Sequence, residues 1–153
     1  MRLLIVRHGE ARVPASGGEQ ALTERGHQQA SARAQSLLKE DVDVLFHSPK
    51  LRARQTAEIL HRQGVGGLMQ CDERIVPNAD ISEVEALLEE QDMNTIALVS
   101  HLPLVAQLAA WFCDGQLDSP RFSQYSPTGL VVLELDVIGR GCGHLDRFEA
   151  AHV

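Results

Sequence analysis

Two stretches of this chain, Leu3-Leu4-Ile5-Val6 and Ile96-Ala97-Leu98-Val99, contain no polar residue. A strand with one wet face alternates apolar and polar side chains. An unbroken apolar run suits a strand covered on both faces, as in a parallel sheet with helices above and below it. The segments between and around these runs fit that frame. Residues 42–46, 68–71, 130–135 and 145–150 read as further strands, the last as an edge strand. Residues 23–39 read as a helix with Thr23 as N-cap and Ala30, Ala34, Leu37 and Leu38 on its apolar face. Residues 51–62 read as a second helix, with Ala53, Ala57 and Leu60 on one face. Ile81, Val84, Leu87 and Leu88 define a third. Leu104, Val105, Leu108, Ala109 and Phe112 give a fourth that opens at Pro103. Residues 14–18, 64–67 and 139–143 read as loops or turns. Strands alternating with helices predict an α/β fold: a three-layer sandwich with a mostly parallel central sheet and helices on both faces. At 153 residues the chain is expected to form a single domain over 1–153.

Composition narrows the class of partner. The net charge is −7, which disfavours nucleic acid as the main ligand because such binders carry a basic face. Three cysteines, Cys71, Cys113 and Cys142, stand far apart with no Cys-x-x-Cys pair. They read as free thiols in a reducing compartment rather than as disulfides or zinc ligands. The apolar start is interrupted by Arg7 and His8, too early for a signal-peptide core or a membrane span. The expectation is a cytoplasmic protein with no membrane and no nucleic-acid partner, a monomer being the favoured state.

The chemistry collects at strand ends. Arg7-His8-Gly9-Glu10 follows the first strand, His47-Ser48-Pro49-Lys50-Leu51-Arg52 the second, and Ser100-His101-Leu102-Pro103 the strand at 95–99. Open α/β folds bind ligands at the carboxyl edge of the sheet. Arg7, His8, Arg52 and His101 are therefore predicted to meet in space. Two guanidiniums can hold phosphoryl oxygens through forked, charge-assisted hydrogen bonds. The helices that begin near Pro103 and after Ser48 would turn their positive ends to the same anion. One neutral imidazole can attack phosphorus and the other can donate to a phosphoryl oxygen. The arginines should lower the pKa of the attacking ring and stabilise charge on the transferring group.

At this point the residues resemble a known family. Leu4-Ile5-Val6-Arg7-His8-Gly9-Glu10 is similar to the Arg-His-Gly signature of the histidine phosphatase superfamily, the phosphoglycerate mutase-like proteins. Leu22-Thr23-Glu24-Arg25-Gly26 resembles its Leu-Thr-x-x-Gly helix entry. The segment from Ser48 to Ala57 resembles the one carrying its second arginine, and Val99-Ser100-His101 the one carrying its second histidine. Within the superfamily the short chain and the string Ser100-His101-Leu102-Pro103-Leu104-Val105 look like the SixA-type phosphohistidine phosphatases. The resemblance implies that His8 is the nucleophile that becomes phosphorylated. It implies that Arg7 and Arg52 bind the phosphoryl group, that His101 completes the pocket, and that no metal or other cofactor is needed.

Larger superfamily members carry a Glu or Asp general acid after the middle of the chain. Residues 72–80 hold no clean match to it. Glu10, Asp80 and Glu83 remain candidates, with Asp80 and Glu83 disfavoured. A phosphohistidine substrate would need an acid less, since imidazole leaves as a neutral base with a conjugate-acid pKa near ~6.5. Three functions follow. The first is a phosphohistidine phosphatase acting transiently on a signalling or phosphotransfer protein. The second is a phosphomonoesterase for a sugar phosphate or nucleotide. The third is a non-catalytic phosphate-binding module. The other polar residues take plainer readings. Lys50 and Arg54 are solvated helix charges, Ser48 is a helix cap, and Gly9 serves a tight turn. His27, His47, His61, His144 and His152 lie at the surface. Trp111 packs in the core, and Tyr125 is open between packing and a docking rim.

Overall fold

The unbroken apolar runs become the two central parallel strands. The structure, a computed structural model, describes residues 1–151. Its strands are β1 (Arg2–Arg7), β2 (Ala11–Arg12), β3 (Ala21–Leu22), β4 (Val44–His47), β5 (Leu68–Cys71), β6 (Thr95–Ser100), β7 (Leu130–Leu135) and β8 (Gly143–Glu149). Its α-helices are α1 (Glu24–Leu37), α2 (Leu51–Arg62), α3 (Ile81–Glu89) and α4 (Leu104–Asp114). Six strands form one sheet in the order β5-β4-β6-β1-β7-β8. The first four run parallel, while β7 pairs antiparallel with β1 and β8 antiparallel with β7. The expected mostly parallel three-layer α/β sandwich is therefore present, with an antiparallel flank, and β8 is the expected edge strand.

The period-2 geometry of the strands divides the core in two. Leu3, Ile5, Val44, Phe46, Ile96 and Leu98 pack with α3 and α4 through Val84, Leu87, Leu88, Leu104, Leu108 and Phe112. Leu4, Val6, Leu45, Ala97 and Val99 pack on the other face with α1 and α2 through Ala34, Leu37, Ala53, Ala57 and Leu60. Fully burying one such Leu, Ile or Val contributes roughly 1.5–3 kcal/mol.

Several expectations change. Thr23 caps α1 as predicted, its hydroxyl accepting from Gly26 N at 3.0 Å. But α1 ends at Leu37, and a tighter 3-10 turn over Leu38–Glu40 swings Leu38 outward to 43% exposure. His47 is buried rather than at the surface, because it is the last residue of β4 and its ring hydrogen-bonds the Ser48 carbonyl at 2.9 Å. His27 and His144 are exposed and His61 is half-buried; His152 lies outside the described residues. Tyr125 is buried, its hydroxyl donating to Ile5 O. Trp111 is half-buried, with the Arg140 guanidinium 5.4 Å from its ring centre. The β2–β3 hairpin has no counterpart in the sequence reading. No described helix is long and apolar enough to cross a membrane.

Candidate active site

Strand register brings the reactive residues together. β1 pairs with β6 so that Arg7 lies beside Ser100, and β4 pairs with β6 so that His47 lies beside Val99. The next residues, His8, Ser48 and His101, therefore leave the sheet at one edge. Backbone bonds continue the ladder there: His8 N donates to Ser100 O at 2.9 Å and Ser48 N to Val99 O at 3.2 Å. Arg52 enters from the first turn of α2. Arg7, His8, Glu10, Gln20, Arg52 and His101 all line one cleft of about 250 Å³. The four residues predicted to meet do meet. Of the three candidate acids only Glu10 lines this cleft. Asp80 precedes α3 and lines a separate groove, and Glu83 is exposed on α3.

His8 is 9% exposed and held in one tautomer. Its Nδ1 lies 2.7 Å from Gly9 O. A carbonyl only accepts, so Nδ1 carries the hydrogen and Nε2 keeps a lone pair. Arg52 Nε donates to that Nε2 at 3.2 Å. Burial is the main reason the His8 pKa falls to about 4, with the charges of Arg52 and Arg7 adding to the fall and the Gly9 bond opposing it. The sequence reading credited the arginines; desolvation leads. His101 falls to about 3, again by burial first, then by His8 and the cations around it. Both rings are neutral near pH 7, 5.0 Å apart between centres.

The arginines are short of partners. Arg7 Nη1 donates to Tyr125 O at 2.8 Å, and its buried Nε has no hydrogen-bond partner among the described residues. Burial lowers the pKa of both Arg7 and Arg52, for Arg52 against the nearby charge of Glu19. The Glu19 carboxylate also accepts from Leu51 N at 3.1 Å, so the start of α2 is partly occupied from within.

The backbone around His8 is locked from three sides. Gly9 N donates to Thr56 Oγ1 at 3.0 Å. A Cβ on Gly9 would stand 2.8 Å from Gly26 O, and one on Gly26 2.1 Å from Glu10 O, so both glycines permit a close approach of loop and helix. Gly9 thus serves packing rather than a turn of positive φ. Thr128, in the left-handed region at φ 54, donates its N–H toward Arg7 O at 2.9 Å and His8 O at 3.1 Å. Its own carbonyl accepts from Arg33 Nε at 2.9 Å. Arg33 is fully buried on α1 and also reaches Glu149 Oε1 at 3.0 Å and Ala150 O at 2.9 Å. The sequence reading missed Arg33. It sits on the same stripe as Ala30, Ala34 and Leu37, a cation on an apolar face, which is the signal that could have found it. Among the described residues no group of three His, Cys, Asp or Glu side chains is placed to hold a metal ion.

A family model described as the histidine phosphatase superfamily (branch 1) matches residues 3–76, the part holding Arg7, His8 and Arg52. The chain is 28% identical over 153 residues to "Phosphohistidine phosphatase SixA" of Escherichia coli (strain K12), covering 92% of this chain and 89% of that protein. A solved structure of the protein histidine phosphatase SixA complexed with tungstate matches with a TM-score of 0.85 at 25% identity, over 98% of this chain and 97% of that one. The chain belongs to the histidine phosphatase superfamily. It is accordingly a phosphatase that works through a catalytic histidine, and its likeness to the SixA type runs over nearly its whole length. The superfamily fold serves other substrates too: a mycobacterial glucosyl-3-phosphoglycerate phosphatase, solved in complex with VO3, shares the fold at a TM-score of 0.76 and 19% identity, over 97% of this chain and 99% of that one.

Proposed function

We propose that this protein is a phosphohistidine phosphatase that dephosphorylates a histidine on a signalling or phosphotransfer protein, with His8 as nucleophile. The observation that carries this reading is the charge and size of the cleft. Among the described residues its lining cations are Arg7 and Arg52, enough for one phosphoryl group, and Glu10 lines the same cleft. A substrate with a second anionic group would meet a carboxylate there. At about 250 Å³ the cleft is also smaller than the ~300–1,000 Å³ of pockets that enclose a whole small ligand. A phosphoryl group on an imidazole that protrudes from another protein fits those limits.

In this mechanism Arg52 turns from His8 Nε2 to a phosphoryl oxygen, and Arg7 and His101 hold the others. The freed Nε2 lone pair attacks phosphorus in line. The P–N bond to the carrier breaks, and the carrier ring, protonated on its other nitrogen, departs as neutral imidazole. Water then attacks phospho-His8, releasing inorganic phosphate and returning Nε2 to its resting state. The charge developing on the transferring oxygens is met by the two guanidiniums, so the proposed cycle uses no metal.

A second reading, a small-ester phosphatase, is favoured by one observation: Glu10 lines the cleft and could protonate an alkoxide. Phosphate release from a phosphohistidine-bearing protein and from an aryl phosphate distinguishes the two. The native chain is expected to turn over the first rapidly and the second slowly, and His8→Ala neither. Rapid ester turnover with an untouched phosphohistidine would establish the second reading. Release that persists in His8→Ala would overturn the role given to His8.

A further inference from the structure

Ser48 sits behind the site, fully buried, with its hydroxyl oxygen 2.6 Å from His101 Nε2. The same oxygen accepts from Lys50 N at 3.1 Å. These two groups are the hydroxyl's hydrogen-bond partners among the described residues. Lys50 N is a donor, so it cannot take the hydroxyl hydrogen. The one acceptor left is His101 Nε2. Were Nε2 to carry a hydrogen instead, the Ser48 hydroxyl hydrogen would be buried with no acceptor, and that desolvation would go uncompensated.

The other ring nitrogen completes the inventory. His101 Nδ1 is buried with no hydrogen-bond partner among the described residues, on a ring that lines the cleft. A neutral imidazole that accepts at Nε2 must carry its hydrogen at Nδ1. An unpaired N–H on the wall of a cleft that two guanidiniums also line fits an anionic oxygen. We infer that Ser48 is a positioning residue: it fixes His101 in the Nδ1–H tautomer, so that this ring meets the phosphoryl group as a neutral hydrogen-bond donor. The inference rests on the phosphoryl-transfer reading of the cleft. It adds a group outside the cleft that decides what one of its walls can do.

Burial and the surrounding cations keep His101 unprotonated, so the tautomer matters. In the opposite tautomer Nδ1 would turn a lone pair on an anion that is already rich in them. Ser48→Ala removes the hydroxyl and leaves the ring free to take that form.

The test is nitrogen-15 NMR of the His101 ring, assigned by comparison with His101→Gln. The native protein is expected to show a protonated Nδ1 and a bare Nε2, with the Nδ1 signal moving on addition of orthovanadate. In Ser48→Ala the hydrogen should shift towards Nε2. Its kcat should fall towards the loss of about 10²- to 10³-fold that removing one preorganised donor costs, at an unchanged melting temperature. Ser48→Thr, which keeps the hydroxyl, should restore both tautomer and rate. A native ring with its hydrogen on Nε2, or an unchanged tautomer in a folded Ser48→Ala, would overturn the inference. The native spectrum needs no substrate and no variant fold, so it decides even if Ser48→Ala is unstable. Failure of the phosphatase reading is a separate result, namely phosphate release that does not depend on His8.

Discussion

Arg2 and Arg7 stand at opposite ends of β1 and live in opposite surroundings. Arg2 donates to Glu40 at 2.7 Å, Glu134 at 2.8 Å and Asp146 at 2.7 Å, and Arg147 closes the network on Glu40 at 2.6 Å. Its pKa is raised, chiefly by the Glu40 bond. Arg7 has no carboxylate partner among the described residues. It holds one backbone carbonyl, leaves its Nε unpaired, and has its pKa lowered by burial. Arg52 likewise forms no ion pair among the described residues. The amino end of the sheet is complete in itself, whereas the carboxyl end is complete only with an anion in it. An unpaired, half-buried cation raises the free energy of the empty fold, and a bound phosphoryl group offsets that cost. Where a protein leaves charges unmatched is therefore informative about what it binds.

The largest test of this contrast is Arg7→Met. Its kcat/KM should fall about 10²- to 10³-fold, as for loss of one preorganised donor. Its stability should stay level or rise in chemical denaturation, because no charged partner is abandoned and only the Tyr125 carbonyl loses a hydrogen bond, while a half-buried charge is removed. A clear loss of stability would mean that Arg7 belongs with Arg2 as a structural ion. Next comes Arg33→Met. Arg33 joins the two behaviours, being paired with Glu149 yet bound to the Thr128 carbonyl behind His8. Removing one member of a buried pair costs about 3–5 kcal/mol. Denaturant midpoints should show a loss near that size, together with lower activity in the fraction that remains folded.

Acidity separates the two ends. His8 and His101 stay neutral in the fold down to about 4 and about 3, while in the unfolded chain they take up protons below the ordinary 6.5. Between those values the unfolded state binds more protons, so stability falls as pH drops from 6.5 towards 4. At the paired end burial pushes the Glu40 carboxyl up, but bonds from Arg2 and Arg147 outweigh it and leave it below 4.5. Its contribution is intact above 4.5 and is lost only as pH falls below that. Unfolding free energy measured against pH should decline in two stages, and His8→Gln should flatten the upper one alone. The smallest effect is expected from Arg2→Gln, about 1 kcal/mol at low salt and less at high salt, since its ion pairs are partly exposed.

The contrast between the ends also governs what the sequence reveals. The four residues of the cleft were legible because each directly follows, or lies one turn into the helix after, an apolar run that fixes its own strand. The parallel pairing then brings them together without further information. The antiparallel flank was less legible, since 130–135 reads as a strand whatever its direction. The β2–β3 hairpin has only two residues a side, too few for any period. Arg33 goes unread in the sequence, Ser48 reads only as a helix cap and Tyr125 stays open, because their roles depend on partners far away in the chain: Thr128 and Glu149 for Arg33, His101 for Ser48, Ile5 for Tyr125. Residue type and local spacing can flag Arg33 as a cation on an apolar face, but they do not name the partner in any of the three cases.

Thr128 has a consequence for the order in which the molecule can be assembled. Its N–H binds the carbonyls of residues 7 and 8, and its carbonyl is held by a side chain that itself leans on residues 149 and 150. On the ribosome every reactive group, from residue 7 to residue 101, emerges before that clamp exists. A nascent chain halted after residue 101 but before residue 149 carries the full set of reagents without the clamp that holds the backbone behind His8, so the complete site is expected only late in synthesis.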